Sequence, residues 1–288
     1  MQYFFVKWLS RVVCWLPDGI RNRIGDVIGA ICWPFVPRKR REMAIGNVIA
    51  SLGRDREEAE KLVKLSSVRF GRMFMEVLCF PRLNRENIRS HVKMIGQQHM
   101  TDALAHGRGA VLATAHSGNW EVLGAALALY GFPIVGVAQK QTNAAMDKFI
   151  NEYRSLSGMH ITYKSGVREM ISLLSEGKII GLIMDQDASE RGVFVNFFGR
   201  PASTPSGAAA LARMKDAPIV PTFITENADG THTAIIHPPV WVEKTADREH
   251  DIQATTQQLT TMIEQHVREH PAEWFWLHNR WKTNPPGR

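Results

Sequence analysis

From residue 107 onward the chain alternates short apolar runs with helix-patterned stretches, and this alternation restricts the fold more than any other feature. Apolar runs of strand length lie at 110–115, 134–138, 160–163, 178–184, 218–224 and 232–237. Between and beyond them, 3.6-residue spacing predicts helices near 120–130, 144–157, 166–176, 205–215 and 250–269. Such an order implies an α/β fold, a mixed central sheet flanked by helices. In sheets of this kind functional side chains gather at the carboxyl ends of strands, and His116, Gln139 and Asp185 each follow an apolar run directly. With 288 residues and 44% hydrophobic content, the chain can bury a full core as one large domain plus an appendage. Cys14, Cys32 and Cys79 lie in apolar surroundings without metal-like spacing, which points to a reducing compartment and away from a disulfide framework.

The run at 110–115 delivers His116 into a polar turn, Ser117-Gly118-Asn119, with Glu121 five residues after the histidine. Spacing alone is weak: 11 His among 28 acidic residues supply about one such pair by chance, and His116 is the one that has it. Context adds more. Asn119 is a natural N-cap for the helix that follows. Residues five apart on one helix point about 140° away from each other, so the pair can meet only if His116 ends the strand and Glu121 opens the helix. A carboxylate bonded to one imidazole nitrogen leaves the other free to take a proton from a hydroxyl. The plain alternative is a capping turn beside an incidental surface histidine.

The remaining polar constellations are less specific. The strand at 178–184 ends in Asp185 and Asp187 flanking Gln186, which suits a metal, an arginine or a polar substrate, and equally a structural salt bridge. Arg154 lies on the helix 144–157, where a lone arginine normally reads as a solvated charge. Residues 194–207 read as an apolar flap turning into a helix at 205, either lining an acyl channel or belonging to the core. His266-Val-Arg-Glu-His270 has the order of an inverted zinc-protease motif. Pro271 follows at once, however, and His266 falls in register with Ile252, Leu259, Met262 and Ile263, so a core histidine near a helix end is the better assignment.

Charge is unevenly placed. Residues 1–100 hold 18 Lys plus Arg against 9 Asp plus Glu, whereas residues 101–288 hold 17 against 19. The same third carries Phe4, Phe5, Trp8, Trp15, Trp33 and Phe35, aromatics that favour a bilayer interface over nucleic acid. The apolar runs at 3–16 and 24–36 are interrupted by Lys7, Arg11 and Asp26 and fall short of the roughly 20 residues of a span. They are expected to lie interfacially or re-entrantly, as an N-terminal membrane-associated helical segment. Charges inside the run and the lack of a small-residue cleavage site argue against a secretory signal. The basic run 38–41 suits anionic headgroups at the cytoplasmic face. The expected division is therefore 1–37 membrane-associating, 38–106 helical and basic, and 107–288 the α/β core.

Assembled in order, these stretches resemble the bacterial lysophospholipid acyltransferase-like group, and within it the late acyltransferases of lipid A biosynthesis. The similarity runs through Leu16-Pro17, Arg40-Arg41 with Asn47, the turn from Ala115 to Glu121, Asn143 with Asp147, Arg154, and Met184-Asp-Gln-Asp187. It continues through residues 197–204 and 217–221 and closes with the aromatic stretch 271–282. The resemblance implies that His116 is a general base with Glu121 as its partner, and that Arg154 and Asp185 serve activity. It implies transfer of a fatty acyl group from a thioester on acyl carrier protein, or from acyl-CoA, to a hydroxyl of a lipid A precursor at the inner membrane, cytoplasmic face. The thioester is a co-substrate, and neither metal nor other cofactor is implied. Backbone N–H groups at Ser117, Gly118 and Asn119, with Arg154, are expected to face the developing oxyanion, while Gln139, Lys140 and Asp187 are expected to contact substrate. No Gly-x-Ser-x-Gly elbow is present and the cysteines lie far from the motif in sequence, so direct transfer without an acyl-enzyme is expected. Relatives often carry arginine where Gln139 precedes Lys140, a change that bears on the acceptor because lysine lacks arginine's bidentate fork. The alternatives are acylation of another glycolipid, such as a phosphatidylinositol mannoside, and a non-catalytic membrane scaffold that binds lipid.

Overall fold

The alternation read from the sequence becomes a seven-stranded sheet in a computed structural model, which describes residues 1–285. Its strands are β1 (Val92–Ile95), β2 (Ala110–Thr114), β3 (Ile134–Ala138), β4 (His160–Tyr163), β5 (Ile179–Ile183), β8 (Ile219–Glu226) and β9 (His232–Ile236); β6 (Val193–Phe197) and β7 (Arg200–Thr204) form a separate antiparallel hairpin. The spatial order is β1-β9-β8-β2-β5-β3-β4. From β8 to β4 neighbours are parallel, whereas β9 returns antiparallel to β8 and β1 runs parallel with β9. The sheet is thus mixed, as expected. Two elements depart from expectation. The 38–106 stretch is not wholly helical, since β1 is an edge strand of the sheet, and the flap at 194–204 is the β6–β7 hairpin.

Helices α1 (Gln2–Cys14), α2 (Asp18–Cys32), α3 (Arg38–Leu52), α4 (Arg56–Leu78), α5 (Ile88–His91) and α6 (Gln97–Ala105) precede β2. Between strands lie α7 (Trp120–Leu129), α8 (Ala144–Leu156), α9 (Val167–Ser175) and α10 (Gly207–Lys215), and α11 (Arg248–Glu269) follows the sheet. Strand β2 is buried throughout because alternate side chains serve opposite cores. Val111 and Ala113 join Leu174, Leu211, Ile263 and Trp274 on one face; Ala110 and Leu112 join Leu123, Leu127, Phe149 and Leu78 on the other.

The N-terminal helices dock beside the carboxyl rim of the sheet. Helices α2 and α4 approach closely through glycine: a Cβ built on Gly71 would lie 2.0 Å from the Gly25 carbonyl oxygen. Arg72 of α4 bonds both oxygens of Asp26 and reaches Glu226 at 2.6 Å, the last residue of β8, which ties these helices to the core. Among the described residues no helix is long and apolar enough to cross a membrane. Phe4, Phe5, Trp8, Trp15, Val27, Ile31 and Phe35 are nevertheless exposed on α1, on α2 and in the turns that follow them. Residues 286–288 of the expected 107–288 core lie outside the described residues.

Candidate active site

The chain leaves β2 through Ala115 and turns sharply at Gly118, whose φ is +61°. A Cβ there would lie 2.1 Å from the Ile224 carbonyl oxygen, so both conformation and space call for glycine. Asn119 caps α7, its side-chain oxygen accepting from the Val122 N–H at 3.1 Å. This geometry leaves His116 at the strand end, partly exposed, with its ring edge-to-face against Trp120 at 4.8 Å.

The partner of His116 is Asp185, not Glu121. His116 Nδ1 lies 2.7 Å from Asp185 Oδ1, and the His116 backbone N–H donates to Oδ2 at 2.8 Å. The buried Trp274 indole donates to the same Oδ2 at 2.7 Å. Parallel pairing of β2 with β5 causes this, for Thr114 and Ile183 are register partners and the dyad residues each stand two positions beyond them. Burial pushes the Asp185 carboxyl upward, but the charge and hydrogen bond of His116, with the Trp274 N–H, outweigh it and hold the group below the usual carboxylate range.

Glu121 makes a two-pronged pair with Arg154, which donates from Nε at 2.7 Å and Nη2 at 2.6 Å. Burial works to lower the Arg154 pKa, yet the Glu121 contact raises it on balance, so the guanidinium stays charged. The sequence expectation failed here because it chose the acid nearest along the chain. The first turn of α7 instead aims Glu121 at α8. Both members of this pair line an apolar pocket of ≈ 550 Å³ between α7 and the sheet, together with Thr114, Trp120, Ile183, Leu112 and Leu127. Gly136 and Gly181 are register partners on adjacent strands, and with Gly124 of α7 they keep the pocket open. Thr114 and Ile183 stand two residues before His116 and Asp185, and Trp120 packs on the His116 ring, so the pocket adjoins the dyad.

Several expected substrate contacts are otherwise engaged. Ser117 is buried, its hydroxyl 3.1 Å from His266 Nε2. The Gly118 N–H donates to the Glu273 carbonyl at 3.1 Å and the His116 N–H to Asp185, so these two are not free for an oxyanion, and buried Asn119 spends its side-chain amide on Glu76. The Asp187 side chain is fully buried and accepts from the Ser189 N–H at 2.9 Å and the Thr283 hydroxyl at 2.9 Å, which makes it an anchor for the C-terminal segment. Gln139 and Lys140 are exposed just beyond β3 on the same rim. His266 stacks on Phe223 at 4.5 Å while Glu269 is exposed, so the H-x-x-E-H order does not form one cluster; among the described residues no group of three or more His, Cys, Asp or Glu is placed to hold a metal.

Sequence reasoning passed over two polar groups at the dyad. Gln186 places Nε2 3.4 Å from His116 Nε2, the ring nitrogen facing away from Asp185. Trp274 arrives from the far end of the chain, and its segment clamps the turn: Phe275 N–H donates to the His116 carbonyl at 3.0 Å. The only local signal was the position of Gln186 between two acids at a strand end.

The sequence model for the family described as bacterial lipid A biosynthesis acyltransferase matches residues 1–283. The chain is similar to a phosphatidylinositol mannoside acyltransferase of Mycobacterium tuberculosis, 31% identical over 74% of this chain and 67% of the relative. It is also similar to the lipid A biosynthesis lauroyltransferase of Escherichia coli, 26% identical over 99% of this chain and 94% of the relative. Among solved structures, the 1-acyl-sn-glycerophosphate acyltransferase PlsC of Thermotoga maritima overlaps 90% of this chain and 99% of its own at 14% identity, with a TM-score of 0.41. The chain belongs to the bacterial lipid A biosynthesis acyltransferase family and is an O-acyltransferase.

Proposed function

We propose that the protein moves a fatty acyl chain from an acyl carrier protein thioester to a hydroxyl of a lipid A precursor at the cytoplasmic face of the inner membrane. The observation that carries this reading is the His116–Asp185 pair beside an apolar pocket lined by their neighbours Thr114, Trp120 and Ile183. Asp185 accepts from Nδ1–H, so Nε2 presents a lone pair to the acceptor hydroxyl. His116 takes the hydroxyl proton as the oxygen attacks the thioester carbonyl. The tetrahedral intermediate then expels the thiolate, which recovers that proton from the imidazolium, leaving an ester and a free thiol. Gln186 supplies a side-chain N–H at the carbonyl oxygen, beside the backbone N–H groups of Ser117 and Asn119. The acyl chain lies in the pocket between α7 and the sheet, with the Glu121–Arg154 pair fixing the wall where α7 faces α8. No resident metal or organic cofactor takes part. The exposed apolar face of α1 and α2, aromatic on α1 and aliphatic on α2, rests on the bilayer, where the lipid acceptor resides.

A second acceptor, a phosphatidylinositol mannoside, is favoured by the 31% identity to the mycobacterial relative. One assay separates the two. Detergent-purified wild type and His116→Ala are each incubated with acyl carrier protein thioesters of several chain lengths and either a tetra-acylated lipid A precursor or a phosphatidylinositol mannoside, and lipid masses are read. Added acyl mass on the lipid A precursor with wild type alone is expected; mass on the mannoside alone moves the acceptor, and undiminished transfer by His116→Ala removes the base assignment.

A further inference from the structure

A second cleft opens on the β8–β9 side of the same rim, whereas the apolar pocket lies on the β5–β3 side. It spans ≈ 1050 Å³, part of it open to solvent, between the start of α2, the end of α4, the segment after it and the β8–β9 turn. Three carboxylates border it, and each is already engaged. Asp18 pairs with Arg21 Nη1 at 2.9 Å, Glu76 accepts from His232 Nε2 at 2.8 Å and from the Asn119 amide, and Asp229 accepts from the Thr231 N–H at 2.9 Å and hydroxyl at 2.6 Å. The cations are not used up in the same way. Arg21 Nε and His232 Nδ1 are buried without a hydrogen-bond partner, on side chains only 9% and 5% exposed. Arg82 gives one bond, to the Cys14 carbonyl at 2.8 Å. Buried polar nitrogens left unpaired are costly, and all three side chains line this one cleft.

We propose that this cleft is a binding site for a phosphate-type anion, held by the side chains of Arg21, His232 and Arg82 that line it. Two arginines beside a histidine whose other nitrogen is tied to a carboxylate are the chemistry that recognises phosphate oxygens. Burial lowers the His232 pKa, but its contact with Glu76 outweighs this and holds it above the ordinary histidine value, which favours Nδ1 as a donor. Glu76 links His232 to Asn119, three residues beyond His116, so an occupied cleft braces the catalytic turn. The phosphate has two possible sources, a lipid headgroup or the phosphodiester of the thioester carrier.

Thermal unfolding of the purified full chain tests the site without requiring turnover, so failure of acyl transfer and failure of this site are separable. Sodium phosphate at about ten times its dissociation constant should raise the midpoint by about 3 °C over sodium chloride of equal ionic strength. Arg21→Lys and Arg82→Gln should each lose that rise, while Arg85→Gln, outside the cleft, keeps it. Micelles doped with phosphatidic acid reproduce the rise if the headgroup is the source, and free coenzyme A does so if the carrier is. No rise in wild type, or an undiminished rise in Arg82→Gln, overturns the proposal; because Arg82 is exposed, that variant decides the matter even where Arg21→Lys fails to fold.

Discussion

The proposed mechanism requires that His116 carry its proton on Nδ1, and the surroundings of Asp185 make this requirement testable. Oδ2 of Asp185 receives two fixed donors, the His116 backbone N–H and the Trp274 indole, so that position must hold an oxygen. In Asp185→Asn the amide oxygen settles there and the NH2 faces Nδ1, which drives the ring proton to Nε2 and blocks the base. A loss of about 10⁴-fold in kcat with the fold intact is expected, comparable to removing an orienting carboxylate in other His-based transferases and hydrolases. Steady-state kinetics check it, and a loss under about tenfold would show that Asp185 does not set the tautomer. Gln186→Leu should lower kcat by about 10²-fold with little change in KM, since its amide is assigned to the transition state alone. A third residue governs pH response. Burial, with His270 and His237 nearby, pushes His266 down to about 3. The folded chain therefore keeps His266 neutral where the unfolded chain binds a proton, so stability is full above about pH 6.5 and falls as pH drops from there toward 3, by up to about 1.4 kcal/mol per pH unit. Urea midpoints measured from pH 7 to pH 4 should fall less steeply in His266→Asn; parallel slopes would remove His266 from the acid response.

At the scale of elements, the 271–283 segment holds the site although it belongs to no strand of the sheet. It brackets the turn through the Gly118 N–H and the His116 carbonyl, sends Trp274 to Asp185, and is fastened by Thr283 to Asp187. Trp274→Phe keeps most of the packing and removes one donor from Asp185. Its kcat should fall about tenfold and the acid limb of the pH–rate profile should move, because Asp185 becomes less firmly ionised; an unmoved profile with lowered stability would mean that Trp274 only packs. The six strands expected from residue 107 onward all form, since a buried run of β-branched and aliphatic residues announces itself locally. Strand β1 was not legible, because Val92–Ile95 sits between two short helices with Lys93 inside it, ahead of the strand and helix alternation that begins at residue 107. The hairpin β6–β7 was read as a flap and helix entry, for its pairing across Phe198 and Gly199 depends on positive φ at both positions. His116 and Asp185 were both found as strand-end candidates, but their partnership was not, since 69 residues separate them and only the β2–β5 pairing joins them. Trp274 was placed by resemblance alone, as no periodicity marks a single indole that bonds 89 residues away.

For the whole molecule, the decisive asymmetry is that the basic third of the chain is also the one that shows apolar side chains to solvent. Phe4, Phe5 and Trp8 lie on α1 with their rings largely exposed, and Arg38, Lys39 and Arg40 at the start of α3 are exposed as well. Contiguous exposed aromatics are unfavourable in water and favourable at a headgroup boundary, while the basic run adds attraction to anionic lipid. The two contributions differ in salt dependence, which gives the test. Flotation with anionic phospholipid vesicles should show the triple change of Phe4, Phe5 and Trp8 to Ser weakening binding at least about tenfold at every ionic strength, because interfacial burial of three rings is lost. Changing Arg38, Lys39 and Arg40 to Gln should weaken binding at low salt and make little difference near 1 M, where screening has shortened electrostatic reach to about 3 Å. Since these side chains contribute little to the folded core, both variants should retain acyl transfer on acceptor dissolved in detergent micelles and lose it on acceptor embedded in vesicles. Unchanged flotation of the aromatic variant would mean that this face meets something other than a bilayer, and the vesicle and micelle rates would then coincide.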